Sequence, residues 1–221
     1  MTTNSKASLA IVIGTVCGMV TMLLHPTGHD VTRSLLSGGH GSLNVFLHSI
    51  ALLGQPLIVM GALALTLQFT TQRPFAVGAL VLFTWASVAV MIASAASGFM
   101  ATSLIESTVK EQGSARDFAY NALHYTALLN RTFSRIFVAF SSLAILVWSI
   151  AMLREQLLTR ALAAYGIISA CAVLAWTLTG HLRFDIHGFG AVVLAQGIWF
   201  LWIAAQLAGR TSVLTSRLQD G

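Results

Sequence analysis

The chain has 221 residues, of which 56% are hydrophobic and only 9% charged, with a mean hydropathy of +0.80. Soluble domains carry about 25% charged residues, so this composition excludes a disordered chain, a nucleic-acid-binding domain and an ordinary cytosolic enzyme. The net charge of +5 then bears on membrane orientation and not on nucleic-acid backbones.

The first apolar run, Ser8–Leu24, follows Lys6 and continues into His25-Pro26 without a small-x-small cleavage site, which predicts a retained transmembrane helix. Five further runs are long enough to cross a hydrocarbon core of about 30 Å as helices. They are Leu43–Thr70, Phe75–Ser103, Phe118–Leu153, Ala161–Thr179 and Phe189–Ala208. Backbone groups in lipid must be satisfied within the segment, so strands are excluded. The expected fold is all-α: residues 1–221 form a single domain, an integral membrane bundle of six transmembrane helices. Gly14 and Gly18 on the first helix, and the run Ala93–Gly98 on the third, predict close helix approach. Gln55 and Gln196 are polar points inside spans, expected to hydrogen-bond between helices. Cys17 and Cys171 lie in apolar runs and read as packing residues.

The fourth span would be about 54 Å long at roughly 1.5 Å per residue. Its uninterrupted apolar part is Ile136–Leu153, so the stretch before it should project beyond the membrane. With the generous end of the third span, this predicts a helical hairpin extended on the outer side, turning near Gln112-Gly113-Ser114. Lys6, Arg73, Arg154, Arg160, Arg210 and Arg217 fall on one side of the bundle, and Arg33, Lys110, Arg116 and Arg183 on the other. The bias places both termini on the cytoplasmic side of an inner membrane.

All seven histidines then fall on or near the outer side. His25, His29, His40 and His48 lie between the end of helix one and the first turns of helix two. His124 is on the projecting part of helix four, and His181 and His187 lie between helices five and six. Thr27-Gly28-His29-Asp30 and Thr179-Gly180-His181, followed by Asp185, recur at the outer ends of two outward-running helices. Neutral imidazole is the commonest metal ligand. The expected metal ligands are therefore drawn from His25, His29, His181 and His187, with Asp30 and Asp185 as general base or as partners orienting the ligands. Pro26 makes a shared regular helix face for His25 and His29 unfavourable. His124, Arg131 and Arg135 recur on one face of helix four, a stripe suited to an anionic substrate group.

The elements His25–Asp30 (HPTGHD) and Gly180–Gly190 (GHLRFDIHGFG), with Asn130-Arg131, resemble a group of multi-pass bacterial inner-membrane proteins. That resemblance implies the six-helix architecture and no particular activity. The membrane ceramidase and progestin-receptor-like superfamily also builds a zinc site from histidines in a helical bundle, but its late HxxxH within a span has no counterpart here.

Together these features predict an outward-facing site for zinc or another transition metal, and hydrolysis of a lipid or amide at the outer leaflet. Two other functions are expected from the same histidines. One is a b-type cytochrome, with His48 and His124 as axial haem ligands and Arg131 or Arg135 on the propionates. The other is a transport or pH-sensing protein whose outer histidines titrate.

Overall fold

A computed structural model of the chain describes residues 3–26, 33, 41–184 and 186–219. Apart from short turns these residues are helical. The elements are α1 (Thr3–Leu23), α2 (Ser42–Thr66), α3 (Arg73–Ala95), a π-helical turn (Ala96–Met100), α4 (Ala101–Lys110), α5 (Gly113–Glu155), α6 (Arg160–Leu178) and α7 (Ile186–Gln219). The helix α3 runs through the π-turn into α4 as one unit, so the described chain holds six helices long and apolar enough to cross a membrane. This is the six-helix all-α bundle that the sequence predicts.

The α3–α4 unit has 38 residues and α5 has 43. At roughly 1.5 Å per residue they measure about 57 and 65 Å, far beyond a core of about 30 Å. Their excess forms the projecting hairpin. It turns where Glu111 and Gln112 are extended and Gly113 takes φ +60°, a left-handed conformation that favours glycine. The helix α5 starts at Gly113, several residues before the apolar run, and runs alongside α4, with residues 113–118 exposed and Ala119 the first buried one.

The spans close into a ring in the order α1, α2, α3, α5, α6, α7 and back to α1. Successive spans alternate in direction, so Lys6, Arg73, Arg154 and Arg160 share one end of the ring and His25, His48, Lys110 and Arg183 share the other. The first is called here the arginine end and the second the histidine end.

The arginine end is closed by aromatic packing. Trp148 is fully buried, and its indole N–H is shared between Thr66 Oγ1 (3.2 Å) and the Ala76 carbonyl (3.1 Å). Phe83 packs against Trp148 and Phe200 with ring centroids 5.7 and 5.1 Å apart, and Trp199 stacks on Trp148 at 6.1 Å. At this end the Glu155 carboxylate accepts hydrogen bonds from the backbone N–H groups of Thr70 (3.1 Å) and Gln72 and from the Thr71 hydroxyl (2.8 Å), pinning the α2–α3 turn to the end of α5. Large apolar side chains such as Leu53, Trp85, Ile168 and Leu178 face outward from the ring, as a lipid-facing surface requires.

Two of the small-residue expectations separate in the structure. A Cβ on Gly14 would lie 2.5 Å from the Gly54 carbonyl oxygen, so α1 and α2 cross in backbone contact there. Gly18 has nothing within 4 Å of that position and instead borders an internal cavity. The two glutamines separate as well. Gln196 Nε2 donates to Ser141 (2.9 Å) and Ser142 (3.2 Å) across α5 and α7, as predicted. Gln55 Oε1, by contrast, is buried with no hydrogen-bond partner among the described residues.

Candidate functional site

The site is organised by the π-turn. Widening a helix by one residue per turn frees carbonyls from their regular partners, and Asn44 on α2 takes them up. Its Nδ2 donates to the Ser97 carbonyl (2.9 Å) and to Thr102 Oγ1 (2.9 Å), while the Thr102 hydroxyl donates to the Gly98 carbonyl (2.6 Å). One turn further along α2, His48 sits directly on Gly98. A Cβ there would press on His48 Cβ and lie 2.7 Å from its Cγ. The glycine is therefore what lets the imidazole reach this position.

His25 approaches from the other side, just beyond the last turn of α1. The Thr21 hydroxyl, shared between the carbonyls of Cys17 (2.8 Å) and Leu47 (2.9 Å), holds that end of α1 against α2. The two imidazoles meet edge to face, with Nε2 atoms 3.2 Å apart and ring centroids 4.8 Å apart.

Their other nitrogens fix the chemistry of this contact. His25 Nδ1 lies 2.8 Å from the Pro26 carbonyl, and His48 Nδ1 lies 2.8 Å from the Asn44 carbonyl. A carbonyl oxygen only accepts, so each Nδ1 carries the ring proton and each Nε2 of a neutral ring is a bare lone pair. Two lone pairs facing each other at 3.2 Å repel unless a cation lies between them. At zinc–nitrogen bonds of about 2.0–2.1 Å that separation would let both nitrogens reach one ion. Burial lowers the pKa of His25 below the ordinary histidine value, and the bond to the Pro26 carbonyl offsets this only in part. The ring therefore favours its neutral, metal-ligating form.

The pair stands at the mouth of a cavity of about 360 Å³ enclosed by α1, α2, α3, α5 and α7. Arg131, Asn130 and Ser134 line the α5 wall. Phe83 and Phe200 form the floor, above the aromatic packing that closes the arginine end. The size falls within the roughly 300–1,000 Å³ of small-molecule sites.

The structure sorts the expected site residues into three groups. His25 and Arg131 border this cavity, joined by His48, which the sequence singles out only as a haem ligand. His124 is exposed on the projecting part of α5 with its ring 6.3 Å from that of Tyr125, so it does not approach His48. His181 and His187 are exposed and line no part of the cavity, and Arg135 lies over the Phe184 ring at 5.3 Å, outside the cavity wall. His29, Asp30, His40 and Asp185 lie outside the described residues. Among the described residues no three His, Cys, Asp or Glu side chains converge as a metal cluster.

Sequence reasoning passed over Asn44 and Thr15, and it read Gln55 as a helix-to-helix hydrogen bond and Gly98 only as part of a close-approach run. The run Ala93–Gly98 was the available signal. A stretch of small residues marks a close approach, and what approaches it is the Asn44–His48 turn of α2. Comparisons with protein-family models, curated proteins and solved structures find no match for this chain.

Proposed function

We propose that this chain is a multi-pass inner-membrane metalloprotein whose outward-facing site holds zinc or another transition metal on His25 and His48, and that it hydrolyses a lipid or amide at the outer leaflet. The observation that supports this reading is the 3.2 Å approach of two Nε2 atoms whose Nδ1 protons are both committed to backbone carbonyls. Catalytic zinc takes three protein ligands and a water. The sequence offers His29 four residues beyond His25, with Asp30 beside it. Zinc lowers the pKa of its water to about 7, which would supply a hydroxide nucleophile at the mouth of a cavity able to receive the apolar part of a substrate. Closure of the arginine end by Trp148, Trp199, Phe83 and Phe200 suits a one-sided site better than a through-path.

A proton is the other cation that fits between the rings, and the same pair would then act as a pH sensor. Elemental analysis of protein purified without a polyhistidine tag or chelator separates the two. About one equivalent of metal supports the metalloprotein, and a metal-free preparation overturns it.

The pH dependence has a definite sign. Protons compete with metal for imidazole, and the lowered pKa of His25 keeps that ring neutral to more acid pH than usual. Bound metal should therefore hold at pH 7 and be released with a midpoint below about 6.5, the ordinary histidine value. Equilibrium dialysis across pH 4–8 measures it, and a midpoint above that value contradicts the burial argument.

The orientation follows from the Lys and Arg placement. Reporter fusions after Arg73 and Arg154 should read cytoplasmic, and fusions after Gly113 and Arg183 external. The reverse pattern would put the histidine pair on the cytoplasmic face.

A further inference from the structure

The proposed metal occupies only the mouth of the cavity, and its depth has its own chemistry. Arg131, an exposed residue, is the one permanently charged side chain among the described lining residues, where no carboxylate occurs, and it forms no salt bridge among the described residues. Beside it, Asn130 accepts from Ser134 through Oδ1 (3.4 Å), which leaves its NH₂ group as a donor. Below them Phe137, Phe189, Val193, Phe83 and Phe200 give the cavity much of its apolar surface. A guanidinium with no carboxylate partner among the described residues, above an apolar interior, suits an anionic head with an apolar tail.

A second observation is independent of that charge. Thr15 Oγ1 on α1 and Gln55 Oε1 on α2 border the same cavity and are buried, 4% and 9% exposed, with no hydrogen-bond partner among the described residues. Buried polar atoms are nearly always satisfied, and an amide oxygen only accepts. Gln55 lies seven residues beyond His48 on α2, about 10 Å deeper at roughly 1.5 Å per residue. The missing partner is thus a hydrogen-bond donor well below the mouth.

We infer that the cavity seats a single-chain amphiphile whose carboxylate or phosphate head is held by Arg131 and Asn130, and whose chain carries a hydroxyl that meets Gln55 and Thr15. This names the substrate class of the site in the proposed function and rests on that reading only for what happens to the ligand afterwards. Binding itself needs no metal.

The test is photolabelling of chelator-treated full-length protein in detergent, with an octadecanoic acid bearing a mid-chain diazirine. Cross-links are expected on cavity residues such as Phe137 and Val193. Stearate should compete and octadecanol should fail, while 12-hydroxystearate should compete at a severalfold lower concentration. Octadecyl phosphate distinguishes the two head groups, since the better competitor names the source. Arg131→Gln should cut labelling at least tenfold and Val193→Trp should block it, while Arg154→Gln at the arginine end leaves it unchanged. Each variant is checked for a monodisperse elution profile, so loss of labelling is not loss of fold. Labelling confined to lipid-facing residues such as Trp85 or Ile168, or undiminished in Arg131→Gln, overturns the amphiphile. Equal competition by stearate and its hydroxylated form overturns the role of Gln55 and Thr15. A wild type that contains no metal when purified without chelator, yet labels the cavity, defeats the metalloprotein and leaves the amphiphile standing, and a protein that purifies with metal but fails to label after chelation does the reverse.

Discussion

Replacing His48 with alanine is expected to reduce bound metal from about one equivalent to well below a tenth, with affinity falling at least about 100-fold. Loss of a group that merely orients a ligand already costs 10–100-fold, and on the proposed reading one of two ligating nitrogens is removed outright. His25→Ala should do the same, since the two Nε2 atoms define the position together at 3.2 Å. His124→Ala, on an exposed ring beside Tyr125, should leave metal content unchanged. The comparison is made by elemental analysis of untagged protein. It discriminates sharply, because a general affinity of surface histidines for metal would be lowered more by His124→Ala than by replacement of the buried His48. His29→Ala belongs in the same series, as the test of the third ligand.

Gly98→Ala is expected to have an effect almost as large without touching a ligand. The added Cβ would press on His48 Cβ and sit 2.7 Å from Cγ. The π-turn is held by Asn44 and Thr102 and cannot recede without breaking their hydrogen bonds. The imidazole must therefore move, and a displacement of one ring opens the gap between the Nε2 atoms. Overpacking of this kind costs about 1–3 kcal/mol, so thermal unfolding in detergent should fall by several degrees while bound metal is lost. Gly78→Ala on α3, where a Cβ meets nothing within 4 Å, is the matched control and should change neither. A Gly98→Ala protein that keeps its full metal content would show that His48 is not seated by this contact.

The elements that were legible in the sequence are those set by local composition and period. Six apolar runs with polar turns dictate six helices, because nothing else satisfies a backbone in lipid. The excess length of Phe118–Leu153 over its apolar part dictates a projecting hairpin, and α5 and the α3–α4 unit form one. Gln196 was legible for the same reason, since a lone amide inside a span must find a partner on a neighbouring helix, and Ser141 and Ser142 supply it.

Partner choice was not legible. His25 and His48 are separated by a long connection, and nothing in either segment names the other. Their meeting depends on Thr21 fixing α1 to α2 and on a π-turn in a third helix making room for the second ring. Arg131 and Arg135 are equivalent by helical period, one turn apart on α5. Only the packing of the α6–α7 connection, which lays Phe184 beneath Arg135, leaves Arg131 as the one that borders the cavity. The sequence by itself determined the medium, the number of spans and the end of the bundle on which the histidines gather, because hydrophobicity and helical period act over a few residues. Which imidazoles face each other, and which guanidinium borders the cavity, was decided only by tertiary structure. Those positions depend on contacts between helices far apart in the chain, where a single methyl group at Gly98 is enough to displace the ring.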